Sequence, residues 1–347
     1  MSRDFDPYAA PVLIVPYVWI GDFVRCHSVV KVLRAQDPQL PVDILSSTLC
    51  APLADYMPGV RKAIAFDLPR KRLPLLRYIQ LSDVLRDEHY VQALIMLRTW
   101  KSALAPWLAE IPLRTGFVGE LRYRLINDLR RGEKKLPRMI DRMCALALLP
   151  DEPHPSEWPL PELRVPVEEI AAWRDKNNLS SARGPIVAFC PGAVGKGKAW
   201  PAAHYAQLAR DLGKDGASIW VLGGPSEKSL AAEIGEAGDH VRDLTGHDLR
   251  NAIIALAAAD ATVTNDSGLM HVAAAIGTPT IAIFGPTSPW HWKPLNPVAA
   301  ILEPPTDTET QRRMQVQGND AVTHRRTADV SPADLLAAVR TTLAEKR

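Results

Sequence analysis

Long hydrophobic runs and paired cysteines are both missing from this sequence of 347 residues. No apolar run reaches the roughly 18 residues that a membrane-spanning helix needs, so we expect no transmembrane segment. Four cysteines stand far apart without a CxxC pair, which argues against a zinc site and a disulfide framework. Acidic residues precede the first apolar stretch, so we expect no secretory signal and a cytoplasmic location.

A large excess of charge of one sign is also lacking, since 41 Lys and Arg face 39 Asp and Glu, for a net charge of +2. Bulk attraction to nucleic acid is therefore not expected. The charge is uneven, however, because 18 basic and only 9 acidic residues lie between Arg61 and Arg142. The basic clusters of this region include Arg70, Arg72, Arg122 and Arg124. Such clusters can hold phosphate groups, and a solvated charged face explains them at least as well.

The composition is that of a globular protein, with 47% hydrophobic and 23% charged residues, and the length suits two domains. Both halves alternate short apolar runs with helical patterns, which predicts parallel sheets with helices on both faces. The predicted strands are residues 12–17, 42–47, 62–68, 92–97, 186–192, 217–224, 260–266 and 279–286. A single helix is predicted over residues 21–38.

Proline density marks the expected domain boundary. Six prolines fall within residues 149–166, too many for a helix or a central strand. We therefore predict four parts, which are a domain over 1–150, a proline-rich linker over 151–166, a domain over 167–330 and a C-terminal helix over 331–347. Two doubly wound domains in tandem would bind a ligand in the cleft between them.

The sequence Trp-Ile-Gly-Asp over residues 19–22 stands at the predicted turn from the first strand to the first helix. Asp22 could act there as a general base, or it could merely cap the helix. A helix N-terminus lowers the pKa of a carboxyl group, which weakens a base, whereas a nearby diphosphate raises it. The residues alone leave this choice open.

Residues 191–201, with the sequence PGAVGKGKAWP, combine glycines and lysines between a strand and a helix. Gly192 to Lys198 fits the pattern GxxxxGK, but Ala199 stands where a P-loop needs Ser or Thr to hold Mg²⁺, so a P-loop NTPase is excluded. What remains is an anion site with backbone N–H groups and the charge of Lys198, or an ordinary loop with exposed lysines.

Residues 265–268, with the sequence NDSG, span the end of a predicted strand and the start of a helix. Asp266 or Ser267 is expected to cap this helix, and His271 lies on the same side as Ser267. The pattern suits phosphate oxygens at a helix N-terminus, and it also suits a well-capped helix with no ligand. In a fourth loop, Glu227 could accept hydrogen bonds from ribose hydroxyls or only complement a helix dipole.

Taken together, these segments resemble the heptosyltransferases of glycosyltransferase family 9, of the heptosyltransferase II type. The resemblance is carried by residues 19–22, 114–130, 189–209 and 263–289. It implies an α/β protein of the GT-B fold, with two Rossmann-like doubly wound parallel-sheet domains and an interdomain cleft. It also implies inverting transfer of L-glycero-D-manno-heptose from ADP-heptose to the inner core of lipopolysaccharide, with the second heptose as the expected transfer.

The resemblance further implies roles for single residues. Asp22 would deprotonate the acceptor hydroxyl, and Lys198 would neutralise the departing ADP. The implied donor-binding residues are Gly192, Ala193, Val194, Glu227, His247, Asp266, Ser267, Gly268 and His271. The acceptor-side candidates are Arg70, Arg72, Arg122 and Arg124. No cofactor and no metal are expected, because no DxD pair accompanies the donor loops.

The implied partners are ADP-heptose and a lipid A–inner-core acceptor, which would place the protein peripherally at the inner face of the inner membrane. Ala193 and Val194 carry no hydroxyl where some relatives do, so phosphate contacts there would use backbone N–H groups. Residues 303–328 lack the cysteine-bearing pattern of many members, which leaves the subtype open.

Other functions remain compatible with these residues. The chain could be another family 9 transferase, namely heptosyltransferase I or III or one with a protein acceptor. It could also be a non-catalytic nucleotide-sugar-binding protein of the same fold. A nucleic-acid-binding role lacks interleaved aromatic residues and any recognised module.

Overall fold

A computed structural model describes residues 10–68, 74–180, 184–317 and 325–346, with the side chains of 315–317 excepted. The chain divides into two compact units between Glu162 and Leu163. This division falls inside the proline-rich stretch.

The first unit contains a sheet of six parallel strands. They are β1 Val12–Val15, β2 Val42–Ser46, β3 Val60–Ala65, β4 Gln92–Ile95, β5 Leu113–Phe117 and β6 Asp128–Arg130. Their order across the sheet is β3-β2-β1-β4-β5-β6. The four strands predicted here are confirmed as β1 to β4. Neither β5 nor β6 was predicted, because both mix polar and apolar residues and lie toward one edge, where a continuous apolar run is not required.

The second unit repeats this arrangement with six further strands. They are β7 Ile186–Cys190, β8 Ser218–Val221, β9 Val241–Asp243, β10 Ala261–Asn265, β11 Thr280–Ile283 and β12 Ala300–Leu302. Their order is β12-β11-β10-β7-β8-β9, so in each sheet the first strand in sequence pairs with the fourth. The expectation of two doubly wound parallel sheets is confirmed.

Fourteen α-helices lie in the described residues. In the first unit they are α1 Ile20–Arg25, α2 His27–Gln36, α3 Ala51–Asp55, α4 Leu75–Asp87, α5 Trp100–Leu108 and α6 Met139–Cys144. In the second unit they are α7 Val167–Lys176, α8 Ala202–Lys214, α9 Lys228–Gly235, α10 Leu249–Ala258, α11 Gly268–Ile276, α12 Pro289–Trp292, α13 Thr308–Gln317 and α14 Pro332–Glu345.

The single helix predicted over residues 21–38 is wrong, because the chain breaks at Cys26 into α1 and α2. Cys26 ends one helix and precedes the next while keeping right-handed helical dihedral angles. No glycine or proline marks this break. The apolar periodicity therefore continues across it and predicts one helix.

Each sheet packs its own hydrophobic core against its helices. In the second unit Val187 and Phe189 of β7 join Tyr205 of α8, and α14 adds Leu335 and Val339, all fully buried. Complete burial of one such side chain stabilises a fold by about 1.5–3 kcal/mol. Residues 331–347 were expected to form a helix. That helix is α14, and it packs into the core of the second unit.

The proline-rich stretch is fastened to the first unit. Residues 149–166, all of which are described, form neither helix nor strand. Ser28 Oγ donates to Pro159 O at 2.6 Å, and Lys31 Nζ lies 3.0 Å from Glu162 Oε2. Helix α2 therefore holds the stretch up to the point where the first unit ends.

Candidate functional site

Most of the predicted site residues follow the central strands of the two sheets. In the second unit β7 pairs directly with β10, with Cys190 opposite Thr264. The glycine-rich loop follows β7 and the NDSG segment follows β10, so strand pairing brings these two segments together. Doubly wound sheets bind their ligands at this point, where the strand order reverses.

Lys198 and Asp266 form an ion pair near the carboxyl ends of β7 and β10. Lys198 Nζ lies 2.7 Å from Asp266 Oδ2, and the same oxygen accepts a hydrogen bond from Thr287 Oγ1 at 2.7 Å. Asp266 is buried, and Lys198 is half-buried. An ammonium carries three donors, of which this pair uses one. The carboxylate thus directs a cation to a defined place beside the end of β10.

Glycines give the loop before Lys198 its shape. Gly195 and Gly197 have φ angles of +126° and +76°. Residues with a Cβ rarely adopt such angles. A Cβ at Gly195 would also lie 3.1 Å from Lys198 Cδ. Gly195 therefore leaves room for the Lys198 side chain, and both glycines adopt backbone angles that would strain a residue with a Cβ.

The other side chains of this loop favour an anion site that is built from backbone groups. Val194 is 77% exposed and Ala193 is half-buried. Because neither carries a polar side-chain atom, these two residues can bind a phosphate only through their backbone N–H groups, as the sequence predicts. Lys196 is exposed, in contrast to the paired Lys198.

Asn265 fastens both ends of the loop to the sheet. Its side chain is fully buried, with Oδ1 accepting from Trp200 N at 3.1 Å and Nδ2 donating to Pro191 O at 2.6 Å. From the sequence, this residue was expected only to end a strand. An asparagine at a strand end carries no sign of such a role, because its two partners come from another part of the chain.

Helix α11 begins without a capping side chain. Ser267 is the N-cap residue, but its hydroxyl makes no capping hydrogen bond and lies 3.4 Å from Thr264 Oγ1. Ser267 therefore occupies the N-cap position that was predicted for Asp266 or Ser267, but the helix receives no capping hydrogen bond from a side chain, and Asp266 pairs with Lys198 instead. The first amides of a helix have no acceptor within it. The helix start at Gly268 therefore offers donors that suit an anion.

Glu227 lies against the first glycine of the loop. Its carboxylate accepts hydrogen bonds from Gly224 N and Ser226 Oγ, each at 2.7 Å. A Cβ at Gly192 would lie 3.0 Å from Glu227 Cδ, and one at Gly223 would lie 2.7 Å from Glu227 Cβ. These two glycines make room for Glu227, which stands beside the predicted phosphate loop.

The two predicted histidines differ in exposure. His271, one turn into α11, is buried. His247 is exposed in the turn after β9. Gly246 N donates to Gly223 O at 2.9 Å, which ties the His247 turn to the loop that holds Glu227. The predicted donor residues thus lie on the loops that follow β7, β8, β9 and β10 and in the first turn of α11.

In the first unit, Asp22 is the third residue of α1, directly after β1. Trp19 is the N-cap residue, and the Asp22 carboxylate contacts Arg25 Nη1 at 3.0 Å, so Asp22 does not cap the helix. Burial raises the pKa of Asp22, although the charge and hydrogen bond of Arg25 oppose this effect. A carboxyl group with a raised pKa is a stronger base, so this environment favours proton abstraction.

A second buried carboxylate, Glu133, lies at the same carboxyl-end edge of the first sheet as Asp22. Its Oε2 is 3.1 Å from Nε of the half-exposed Arg98, which follows β4, the neighbour of β1. Tyr17 follows β1, and burial together with Glu133 and Asp22 raises the pKa of Tyr17 to about 12. None of these three residues was predicted from the sequence to belong to a site, since they share no motif.

Arg122 is a correction to the predicted acceptor side. It is 1% exposed, and its guanidinium donates to Phe117 O, at 3.1 Å from Nε, and to Leu97 O. Burial lowers its pKa. Because its donors serve main-chain carbonyls, Arg122 holds the chain after β5 in place, and its burial argues against contact with an acceptor.

The other predicted acceptor arginines divide into two groups. Arg124 is exposed, two residues beyond Arg122. Arg70 and Arg72 lie outside the described residues.

In the described ranges, no helix is long and apolar enough to cross a bilayer. Within the same ranges, no group of three or more His, Cys, Asp or Glu side chains is placed to hold a metal ion.

This chain is similar to known proteins of one family. The family described as "Glycosyltransferase family 9 (heptosyltransferase)" matches residues 78–319. Lipopolysaccharide heptosyltransferase 2 of Salmonella typhimurium is 36% identical over 96% of this chain and 99% of its own length. The Escherichia coli protein of the same name is 38% identical over 84% of this chain and 87% of its own. The structure of E. coli ADP-heptose LPS heptosyltransferase II matches with a TM-score of 0.83 and 34% identity, covering 97% of this chain and 99% of the other.

Proposed function

The chain belongs to glycosyltransferase family 9, the heptosyltransferases, and from that premise we propose that it transfers L-glycero-D-manno-heptose from ADP-heptose to the inner core of lipopolysaccharide. The second heptose of the core is the proposed product, since the relatives that match nearly the whole chain are named heptosyltransferase 2. The observation that carries the proposal is the Lys198–Asp266 pair beside the uncapped start of α11.

The second unit supplies the proposed donor site. The diphosphate of ADP-heptose binds Lys198, the backbone of the loop from Gly192 and the first amides of α11. Asp266 repels a diphosphate, so its carboxylate suits hydroxyls of the heptose. Glu227 and the turn that holds His247 bind the ribose and adenine, on the two loops tied by a backbone hydrogen bond.

The first unit supplies the proposed base. Asp22 takes the proton of an acceptor hydroxyl while that oxygen attacks the anomeric carbon of the heptose. The new carbon–oxygen bond forms on one face as the bond to the diphosphate breaks on the other, and the electron pair leaves with ADP. The configuration at the anomeric carbon is therefore inverted. Lys198 and the α11 amides stabilise the negative charge that develops on ADP.

The acceptor in this proposal is lipid A with inner-core sugars, a polyanion anchored in a membrane. Arg124 is exposed and lies in a stretch rich in basic residues. Of the four arginines predicted on the acceptor side, Arg124 is the one that we propose contacts this acceptor. A protein that acts on such an acceptor works peripherally, at the cytoplasmic face of the inner membrane. Electrostatic attraction of this kind weakens with added salt.

A panel of defined acceptors tests the proposal. ADP-heptose is incubated with core acceptors that carry no heptose, one heptose or two heptoses, and with a peptide acceptor. The proposal predicts transfer to the one-heptose acceptor. Preference for another acceptor would reassign the chain to a different heptosyltransferase type, and ADP-heptose binding without transfer to any acceptor would indicate a non-catalytic binding protein.

A further inference from the structure

The carbonyl groups on both sides of Lys198 share one partner, Thr327. The Thr327 hydroxyl lies 2.8 Å from Ala199 O and 3.2 Å from Gly197 O. Its backbone N–H also donates to Gly197 O, at 3.1 Å. Thr327 is 1% exposed. It lies in the segment before α14, far along the sequence from every motif of the proposed donor site.

Gly285 makes this contact possible. A Cβ at this position would lie 2.7 Å from Thr327 N and 2.9 Å from Gly197 O. Both distances are too short for a carbon atom, so any larger residue would push the two groups apart. The chain after β11 therefore leaves the space in which Thr327 reaches the loop.

The loop depends on such an anchor. Residues 191–201, all described, contain neither helix nor strand, and Gly195 and Gly197 allow many backbone conformations. Lys198 has a flexible four-carbon side chain, so the place of its ammonium follows from the backbone that carries it. Asp266 directs the end of that side chain, and Thr327 fixes its base.

We propose that Thr327 is a positioning residue, which sets the backbone around Lys198 so that its ammonium meets the diphosphate of ADP. This inference rests on the role proposed above for Lys198. It assigns a task in donor binding to the C-terminal segment, which contains no residue predicted to touch the donor.

Binding of ADP to the full-length protein, measured by titration calorimetry, tests this inference. Thr327→Val keeps the shape and removes the hydroxyl, and we expect the Kd for ADP to rise about three- to tenfold, the worth of one net hydrogen bond. Thr327→Ser keeps the hydroxyl and should bind ADP within about twofold of the wild type. Gly285→Ala keeps Thr327 but displaces its contact, and it should weaken ADP binding as Thr327→Val does.

Thr278→Val is the matched control. Thr278 is also buried in the second unit, and its hydroxyl donates to Leu256 O at 2.8 Å, the same distance as from Thr327 to Ala199. Loss of either hydroxyl should lower the melting temperature, whereas only Thr327→Val should weaken ADP binding.

A double-mutant cycle with Lys198→Ala separates positioning from a direct contact. If Thr327 acts through Lys198, T327V should weaken ADP binding in the wild-type background and leave it unchanged in the K198A background. An equal loss in both backgrounds, an unchanged affinity for both T327V and G285A, or an equal loss in T278V would overturn the inference. An unchanged affinity in K198A alone would instead defeat the proposed role of Lys198, and the inference with it.

Discussion

Lys198 Nζ and Asp266 Oδ2 lie 2.7 Å apart because the strands that precede them, β7 and β10, pair directly in the second sheet. The pair joins a cation that can hold a phosphate to a carboxylate that cannot. A diphosphate bound to Lys198 must therefore approach from a side other than that of Asp266. In the proposed function, the ammonium therefore binds the diphosphate and the carboxylate binds hydroxyls of the sugar.

Lys198→Ala should raise the Kd for ADP about 10- to 100-fold, because hydrogen bonds to charged groups contribute about 1.5–3 kcal/mol each. Titration calorimetry with ADP measures the change. Lys196→Ala, which removes an exposed lysine of the same loop, is the control and should have little effect. Equal losses in the two variants would mean that the loop attracts ADP by general charge, without a specific role for Lys198.

Asp22→Asn should lower the rate of heptose transfer by about 10²–10⁴-fold, because an amide cannot accept the proton. The Kd for ADP should stay near the wild-type value. Glu133→Gln changes the other buried carboxylate of the same edge and should retain most of the activity. Transfer by D22N at a rate within a few-fold of the wild type would remove Asp22 as the base, and loss in E133Q alone would point to Glu133.

The rate should also depend on pH through Asp22. The base works when deprotonated, so kcat/KM rises as the pH passes upward through its pKa. The pKa of an exposed aspartate is about 3.9. Burial raises the pKa of Asp22, so the rise in kcat/KM should occur at a pH above that value. Arg25 lowers the pKa of Asp22, and Arg25→Met should therefore move the rise to higher pH.

The pH profile of kcat/KM measures this shift. Arg86→Met is the control, since it removes the cation of an exposed pair with the same spacing, in which Arg86 Nη1 lies 2.7 Å from Asp83 Oδ1. Its profile should match that of the wild type. A profile that Arg25→Met leaves in place or moves to lower pH would disagree with Asp22 as the titrating base.

Arg122 and Arg124 should separate stability from acceptor binding. Arg122→Met should lower the free energy of unfolding by about 2–4 kcal/mol, because buried carbonyls lose their donors. Arg124→Met should leave stability within about 0.5 kcal/mol and raise the KM for the acceptor. Urea unfolding and acceptor titration measure the two effects. A raised KM in a stable R122M variant would restore Arg122 as an acceptor ligand.

Strong local patterns predicted the fold well. Continuous apolar runs separated by glycine-rich or proline-rich segments predicted β1 to β4 of the first sheet and β7, β8, β10 and β11 of the second. The short edge strands β6 and β9, each half-buried or exposed, offered no such pattern. The break between α1 and α2 at Cys26 was also missed, because it interrupts a helical periodicity without a glycine or proline.

The site was predictable only where a motif carried it. Lys198 and Asp266 stand in recognisable segments, and their contact follows from parallel pairing of the strands before them. Asn265 and Thr327 act through backbone groups of distant residues, which a sequence does not display. Arg122 illustrates the opposite error, since a basic cluster does not show which of its members is buried.

Mass spectrometry of the product formed from ADP-heptose and a core acceptor with one heptose tests the proposed function most directly. The predicted result is an acceptor heavier by one heptosyl unit, formed together with ADP by the wild type and absent with D22N. An acceptor that stays unmodified by the wild-type protein, or a heptose-free acceptor that is modified in preference, would contradict it.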